Sequence, residues 1–234
     1  MNKEELRYFP LGGRMMKDKK VNDNIYGYLQ SISYLNKDGE RFIYKSDVSP
    51  TKIERYFKNC EGMEISLSTI KRNLTLFKSK KVGLLVEGKT MDNYNKEVEV
   101  YFLPMIEDEP YKLIPLETLK YLVDTSNGNV IKTYVYLLNK YGWKKDYTFT
   151  KGELIEGIGY NPNSRNKDGR YVSYEMMDNI LLCLVNNGLL DYVEFYDTNN
   201  EGKPTPKHKI TFVGTKVKGM RKAKTPQPQS EFVF

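Results

Sequence analysis

Residues 68–73 read Ser-Thr-Ile-Lys-Arg-Asn, placing two hydroxyls, two cations and an amide within two turns of a helical pattern. Leu67, Ile70, Leu74 and Phe77 follow the helical repeat and mark a core face. On that pattern Ser68, Thr69, Lys71, Arg72, Asn73 and Thr75 turn outward. Such a face carries the groups that read base edges in a DNA groove. Arg bonds guanine in a bidentate fork, Asn bonds adenine, and hydroxyls reach phosphate or either base.

Other reactive groups point to less. His208 is the only histidine and falls in a polar loop between two strand patterns. A histidine pair holding a metal beside a tyrosine nucleophile is therefore excluded, and neither cysteine has a motif directing it toward His208 for acyl transfer. Cys60 and Cys183 lack a Cys-x-x-Cys neighbour and read as reduced, buried thiols, with no disulfide and no zinc site expected. Gly83 to Thr90, GLLVEGKT, matches the phosphate-loop pattern letter for letter. The mechanism needs a strand before the first glycine and a helix opening at Lys89. A helix pattern precedes Gly83 here and Asp92-Asn93-Tyr94-Asn95 follows, so the stretch reads as strand. No cofactor and no enzymatic activity are expected.

The elements that position these residues recur. Ser66 or Ser68 caps a helix that ends near Gly83-Leu84-Leu85; strands follow at Val82–Glu87 and Val98–Leu103 around a polar loop. Ser173 opens a second helix that stops at Asn187-Gly188, with strands at Leu189–Phe195 and Lys209–Val213 behind it. Upstream of the first set lie a helix pattern from Val21 to Leu35, a short strand Arg41–Tyr44, and a helix opened by the Ser49 hydroxyl and Pro50. Upstream of the second lie a helical pattern from Pro115, another from Val130 to Tyr141, a strand Tyr147–Phe149, and a Thr150/Glu153 capping box. The spacing predicts an α+β protein of two tandem winged helix-turn-helix domains. Residues 1–20 form an arm, 21–104 the first domain, 105–114 an acidic, Pro-flanked hinge, 115–213 the second domain, and 214–234 a basic tail. Glu107-Asp108-Glu109 are adjacent, so they do not converge on one ion and read as solvated hinge.

The net charge of +7 is concentrated. Lys203 to Lys224 holds eight basic residues and no acid, and the remainder balances at 29 basic against 30 acidic. Ile65 to Val86 is likewise free of acids. Cations confined to such elements fit a polyanionic partner. No stretch of about 18 apolar residues is present, so no membrane span is expected. The first residues lack the apolar core of a signal peptide, and a cytoplasmic location is expected.

Ser68 to Leu74 with Gly83-Leu84-Leu85, and Ser173 to Leu190 with Gly188-Leu189-Leu190, carry a resemblance covering roughly residues 20–213. Paired in this way, the chain resembles the replication initiator proteins of plasmids and phages built from tandem winged helices. The resemblance implies sequence-specific binding of double-stranded DNA at origin repeats. A transcriptional repressor of a mobile element is the alternative within that class, and a protein-docking scaffold the alternative outside it. Ser68, Thr69, Lys71, Arg72 and Asn73 are expected to read bases. Lys78, Lys80, Lys81, Lys89, Arg165, Lys167, Arg170, Lys203, Lys207 and Lys209 are expected to hold phosphates. Glu175 and Asp178 repel phosphate. Either they accept from cytosine amino groups, or the helix stays out of the groove and the second domain grips DNA by its wing or contacts protein; the second reading is favoured. A homodimer, and a replication-protein partner at Phe232-Val233-Phe234, are the further partners this reading admits.

Overall fold

Local sequence signals set most element ends. The computed structural model describes residues 8–12, 20–60, 63–92, 95–104, 111–141, 147–198 and 202–214. Helix α1 (Asp23–Ser31) starts where the Asn22 side chain accepts from the Ile25 N–H. It stops four residues short of the expected Leu35. The Ser31 and Ser33 hydroxyls turn back onto the Tyr28 and Gln30 carbonyls, the competition with helix that short polar side chains offer. Tyr34–Leu35 becomes strand β2, joined to β3 (Arg41–Tyr44) by a turn in which Asn36 accepts from the Asp38 and Glu40 amides.

Helix α2 (Pro50–Lys58) has proline at its start as expected, but the Ser49 hydroxyl makes no capping bond. Helix α3 (Leu67–Lys78) is capped by Ser66, not Ser68. The chain then turns at Gly83 with φ +60, and the Leu84 and Leu85 amides both donate to the Phe77 carbonyl. Both leucines are thereby buried under the end of α3, so β4 (Val86–Met91) begins four residues later than the pattern predicted. Strand β5 (Glu97–Phe102) returns beside it, giving the sheet order β2-β3-β5-β4.

Strand β6 (Tyr111–Pro115) occupies the second part of the expected hinge and pairs antiparallel with β1 (Tyr8–Gly12) of the expected arm. Residues 105–110, with the acidic triple, lie outside the described residues. Helices α4 (Leu116–Thr125) and α5 (Gly128–Tyr141) follow, then β7 (Thr148–Phe149) and α6 (Lys151–Gly157), which carries the full Thr150/Glu153 capping box. Helix α7 (Val172–Asn186) ends at Gly188, φ +66, and the hairpin β8 (Leu190–Thr198) and β9 (Pro204–Val213) completes a sheet ordered β7-β9-β8. Strand β8 runs past the expected Phe195 to Thr198, and β9 begins at Pro204, ahead of the expected Lys209.

The fold is α+β. One order of elements occurs twice: α1-β3-α2-α3-β4-β5 and α5-β7-α6-α7-β8-β9. In each half the first strand pairs with the last. The halves meet along α1, every residue of which is buried and which packs against α4 and α5. Asn24 donates to the carbonyls of Ser126 at 2.6 Å and Val123 at 3.3 Å, and the Tyr56 hydroxyl donates to Asp124. One apolar core runs through both halves. Among the described residues no helix is long and apolar enough to cross a membrane.

Candidate functional site

Helix α3 carries its core stripe inward and a polar face outward. Ser68, Lys71, Arg72 and Thr75 are exposed and Thr69 is half-buried, as their spacing required. Asn73 is the exception, at 1% exposure. Its Oδ1 accepts from the Asn22 N–H at 2.8 Å and its Nδ2 donates to the Thr69 carbonyl at 3.0 Å. It anchors the start of α1 and cannot read a base. Asn73 stands three residues after Ile70 and four before Phe77, so the rule that assigned the core face also assigns this amide inward.

Thr69 and Arg72 do not face open solvent alone. They line a polar cleft of about 270 Å³ together with Lys20, Asn127, Asn129 and Tyr160. Asn129 and Tyr160 belong to the second half, and the Tyr160 hydroxyl donates to Asn129 Oδ1 at 3.1 Å. The exposed turn of α3 is thus set beside the segment that leads into Arg165, Lys167 and Arg170. No sequence period could show this, because it depends on how α1 docks the two halves.

The expected phosphate-binding cations divide by what they already touch. Lys78 donates to the Tyr101 hydroxyl at 2.7 Å and sits 4.5 Å from that ring's centroid. Lys89 pairs with Glu97 at 2.6 Å across the β4–β5 hairpin. Lys207 pairs with Asp197 at 2.6 Å, and its hydrogen bond holds that carboxyl below the ordinary carboxylate value. Arg165 lies 4.3 Å from the Tyr171 ring centroid. Lys203 and Lys209 are exposed and also have partners. Lys71, Arg72, Lys80, Lys81, Lys167 and Arg170 are exposed and have no ion pair or side-chain hydrogen bond among the described residues.

The second half presents a different surface. The outward positions of α7 include Glu175, Asp178, Asn179, Leu182, Val185 and Asn186, and the helix contains no Lys or Arg. Asp178 pairs with Lys151 at 2.5 Å. His208 is not in a loop: it sits in β9 opposite Glu194, is 1% exposed, and stacks on Phe149 with centroids 5.1 Å apart. Gly88 of the phosphate-loop pattern lies within β4, where an added Cβ would meet the Phe102 ring at 2.5 Å. Its glycine is required by that aromatic packing, and Thr90 continues the strand where a helix would have to begin. The segment 215–234 lies outside the described residues.

Comparison with protein-family models, with curated proteins and with solved structures returns no match.

Proposed function

We propose that the chain is a tandem winged-helix protein that binds double-stranded DNA by inserting α3 into the major groove, as replication initiators of plasmids and phages do. The observation that carries this reading is the exposed face of α3. Lys71 and Arg72 stand on it with no ion pair or side-chain hydrogen bond among the described residues, beside Ser68 and Thr75. Unpaired cations next to small hydroxyls are suited to base edges and phosphates together. Lys80 and Lys81 follow α3 directly and hold the flanking backbone. Lys167 and Arg170 add a contact from the second half, whose α7 stays out of the groove because its face is acidic and apolar. In this reading Lys78, Lys89, Arg165 and Lys207 shape the hairpins and the loop before α7 more than they bind phosphate.

The test is a binding titration over a salt series, on random duplexes and on duplexes carrying origin repeats. Each phosphate neutralised contributes about −0.9 to the slope of log K against log salt. The unpaired cations Lys71, Arg72, Lys80, Lys81, Lys167 and Arg170 together predict a slope of about −5. Tighter binding to repeats than to random DNA is expected for an initiator. Affinity that does not change with salt overturns the proposal.

A further inference from the structure

A sheet edge with bare backbone groups recruits further strands, and folded proteins keep such edges short, charged or bulged. Among the described residues, the edge strands β2 and β7 have two residues each. Edge strand β4 has six, with Gly88 and the Lys89–Glu97 ion pair inside it. Strand β8 is longer, at nine residues, and ends the order β7-β9-β8. Its register shift falls at Asp191/Tyr192, which leaves Tyr192 to Thr198 as a regular edge. At about 3.4 Å per residue, those seven residues present some 24 Å of backbone.

The side chains on that edge suit another strand. Val193, Phe195 and Tyr196 are 52%, 36% and 69% exposed. Val193 and Phe195 stand opposite Lys209 and Lys207 on the outer face, because His208 and Ile210, which alternate with those lysines, are buried. The two acids of the stretch lie on opposite faces. Asp197 is paired with Lys207 at 2.6 Å, and Glu194 turns toward His208 Nε2 at 3.4 Å.

We propose that β8 docks a second copy of the chain, by antiparallel pairing of Tyr192 to Thr198 with the same stretch of the other copy about a two-fold axis at Phe195. The order of residues selects both occupant and register. A two-fold contact sets one patch against itself, so each residue meets its mirror position. With the axis at Phe195 all seven residues pair. Phe195 opposes Phe195, Glu194 opposes Tyr196, Val193 opposes Asp197 and Tyr192 opposes Thr198. An aromatic pair sits at the centre and no acid faces an acid.

The competing registers are worse. Sliding one copy by two residues sets Glu194 against Glu194 and Asp191 against Asp197, and like charges directly opposed destabilise a sheet. Sliding by one residue sets the outer face of one copy beside the inner face of the other. A polyanion is a poor occupant, since β8 holds Asp191, Glu194 and Asp197 and no cation. Pairing at β8 is independent of the DNA reading, because α3 belongs to the other half.

The full chain is tested without DNA. Sedimentation velocity over a concentration series should show a dimer that dissociates on dilution. Phe195→Lys sets like charges on the axis, so it should give a monomer with an unchanged circular-dichroism spectrum. Cross-linking reads the register itself. Directly opposed residues of an antiparallel pair have Cα atoms about 4.5–5.5 Å apart, within the span of a disulfide. Phe195→Cys should therefore give several-fold more disulfide-linked dimer on air oxidation than Val193→Cys. The Val193 position is the more exposed of the two but opposes Asp197, and Cys60 and Cys183 supply the same background in both variants. A parent that stays monomeric at every concentration overturns the proposal. So does a dimer that survives Phe195→Lys, which assigns association to another face. Equal cross-linking at positions 193 and 195 also overturns it, as the mark of random collision.

Discussion

The Asp23 carboxylate and the Lys132 ammonium lie 3.4 Å apart with 3% and 1% of their side chains exposed, on opposite sides of the seam between the two halves. Burial pushes the Asp23 carboxyl up, from 3.8 to about 7, and the nearby Lys132 only partly restores it. A raised folded-state pKa means that the folded chain holds a proton the unfolded chain has released. The Asp23 contribution to stability therefore falls as pH rises from about 4 to about 7 and is flat beyond. Asp23→Asn should remove that slope, seen as denaturation midpoints that vary less with pH than those of the parent. Removing only Lys132 strands a buried acid and should cost about 3–5 kcal/mol at neutral pH.

His208 has the opposite dependence. It is enclosed by the Phe149 and Tyr192 rings, and burial pulls its pKa below 6.5 although Glu194 lies 3.4 Å from Nε2. Glu194 and Asp178 favour its charged form and Lys151 opposes it. The unfolded chain binds the proton more readily, so stability contributed at His208 is lost as pH falls below about 6.5. His208→Phe should flatten the loss between pH 7 and pH 5, measured by urea denaturation. A variant that loses stability on acidification as steeply as the parent would remove His208 as the cause.

Much of this architecture could be read from the residues, because local signals and tertiary packing agree in most places. Gly188 ends α7 where expected, Thr150 and Glu153 form their capping box, and the Ile70, Leu74 and Phe77 stripe faces the core. The misreadings arise where another half of the molecule intervenes. The pattern from Val21 to Leu35 looks like one amphipathic stripe, yet α1 is enclosed on all sides by helices distant in sequence. Asn73 looks like a surface amide until Asn22 is seen to need an acceptor. Lysines 78, 89 and 207 look alike in a charge count, and only the tertiary contacts show what each already holds: Tyr101 on a neighbouring strand for Lys78, and cross-strand carboxylates for Lys89 and Lys207.

Arg72 and Asn73 are neighbours in sequence, and the structure gives them separable consequences. Arg72→Ala removes an exposed cation that has no ion pair among the described residues, so it should leave the melting temperature unchanged. On the proposed reading it costs about 1–3 kcal/mol of affinity on a cognate site and little on random duplex. Asn73→Ala leaves the Asn22 N–H without its buried acceptor and should cost about 1–3 kcal/mol of stability. Its affinity per folded molecule should match the parent. Calorimetry and a DNA titration on the same two variants separate the roles, and a loss of base discrimination in Asn73→Ala at full stability would reverse them.

Gly27 faces Val123 across the seam, in the middle of α1. A Cβ at position 27 would lie 2.8 Å from Val123 Cγ2 and 3.5 Å from Leu119 Cδ1, and both partners are fully buried. Alanine is the better helix former, and in an isolated helix the change would stabilise by roughly 1 kcal/mol. Here overpacking should win, because a close-packed interior yields only by moving α1 away from α4, at a cost of about 1–3 kcal/mol. The same displacement would stretch the Asn24 bonds to Ser126 and Val123, which hold the halves together. Val123→Ala relieves the clash, so the double variant should be more stable than the two single losses summed, with a coupling of about 0.5–3 kcal/mol. Denaturation of the four proteins in this cycle measures the coupling. Strict additivity would mean that α1 and α4 are not in contact at Gly27, and that the seam is held by its polar bonds alone.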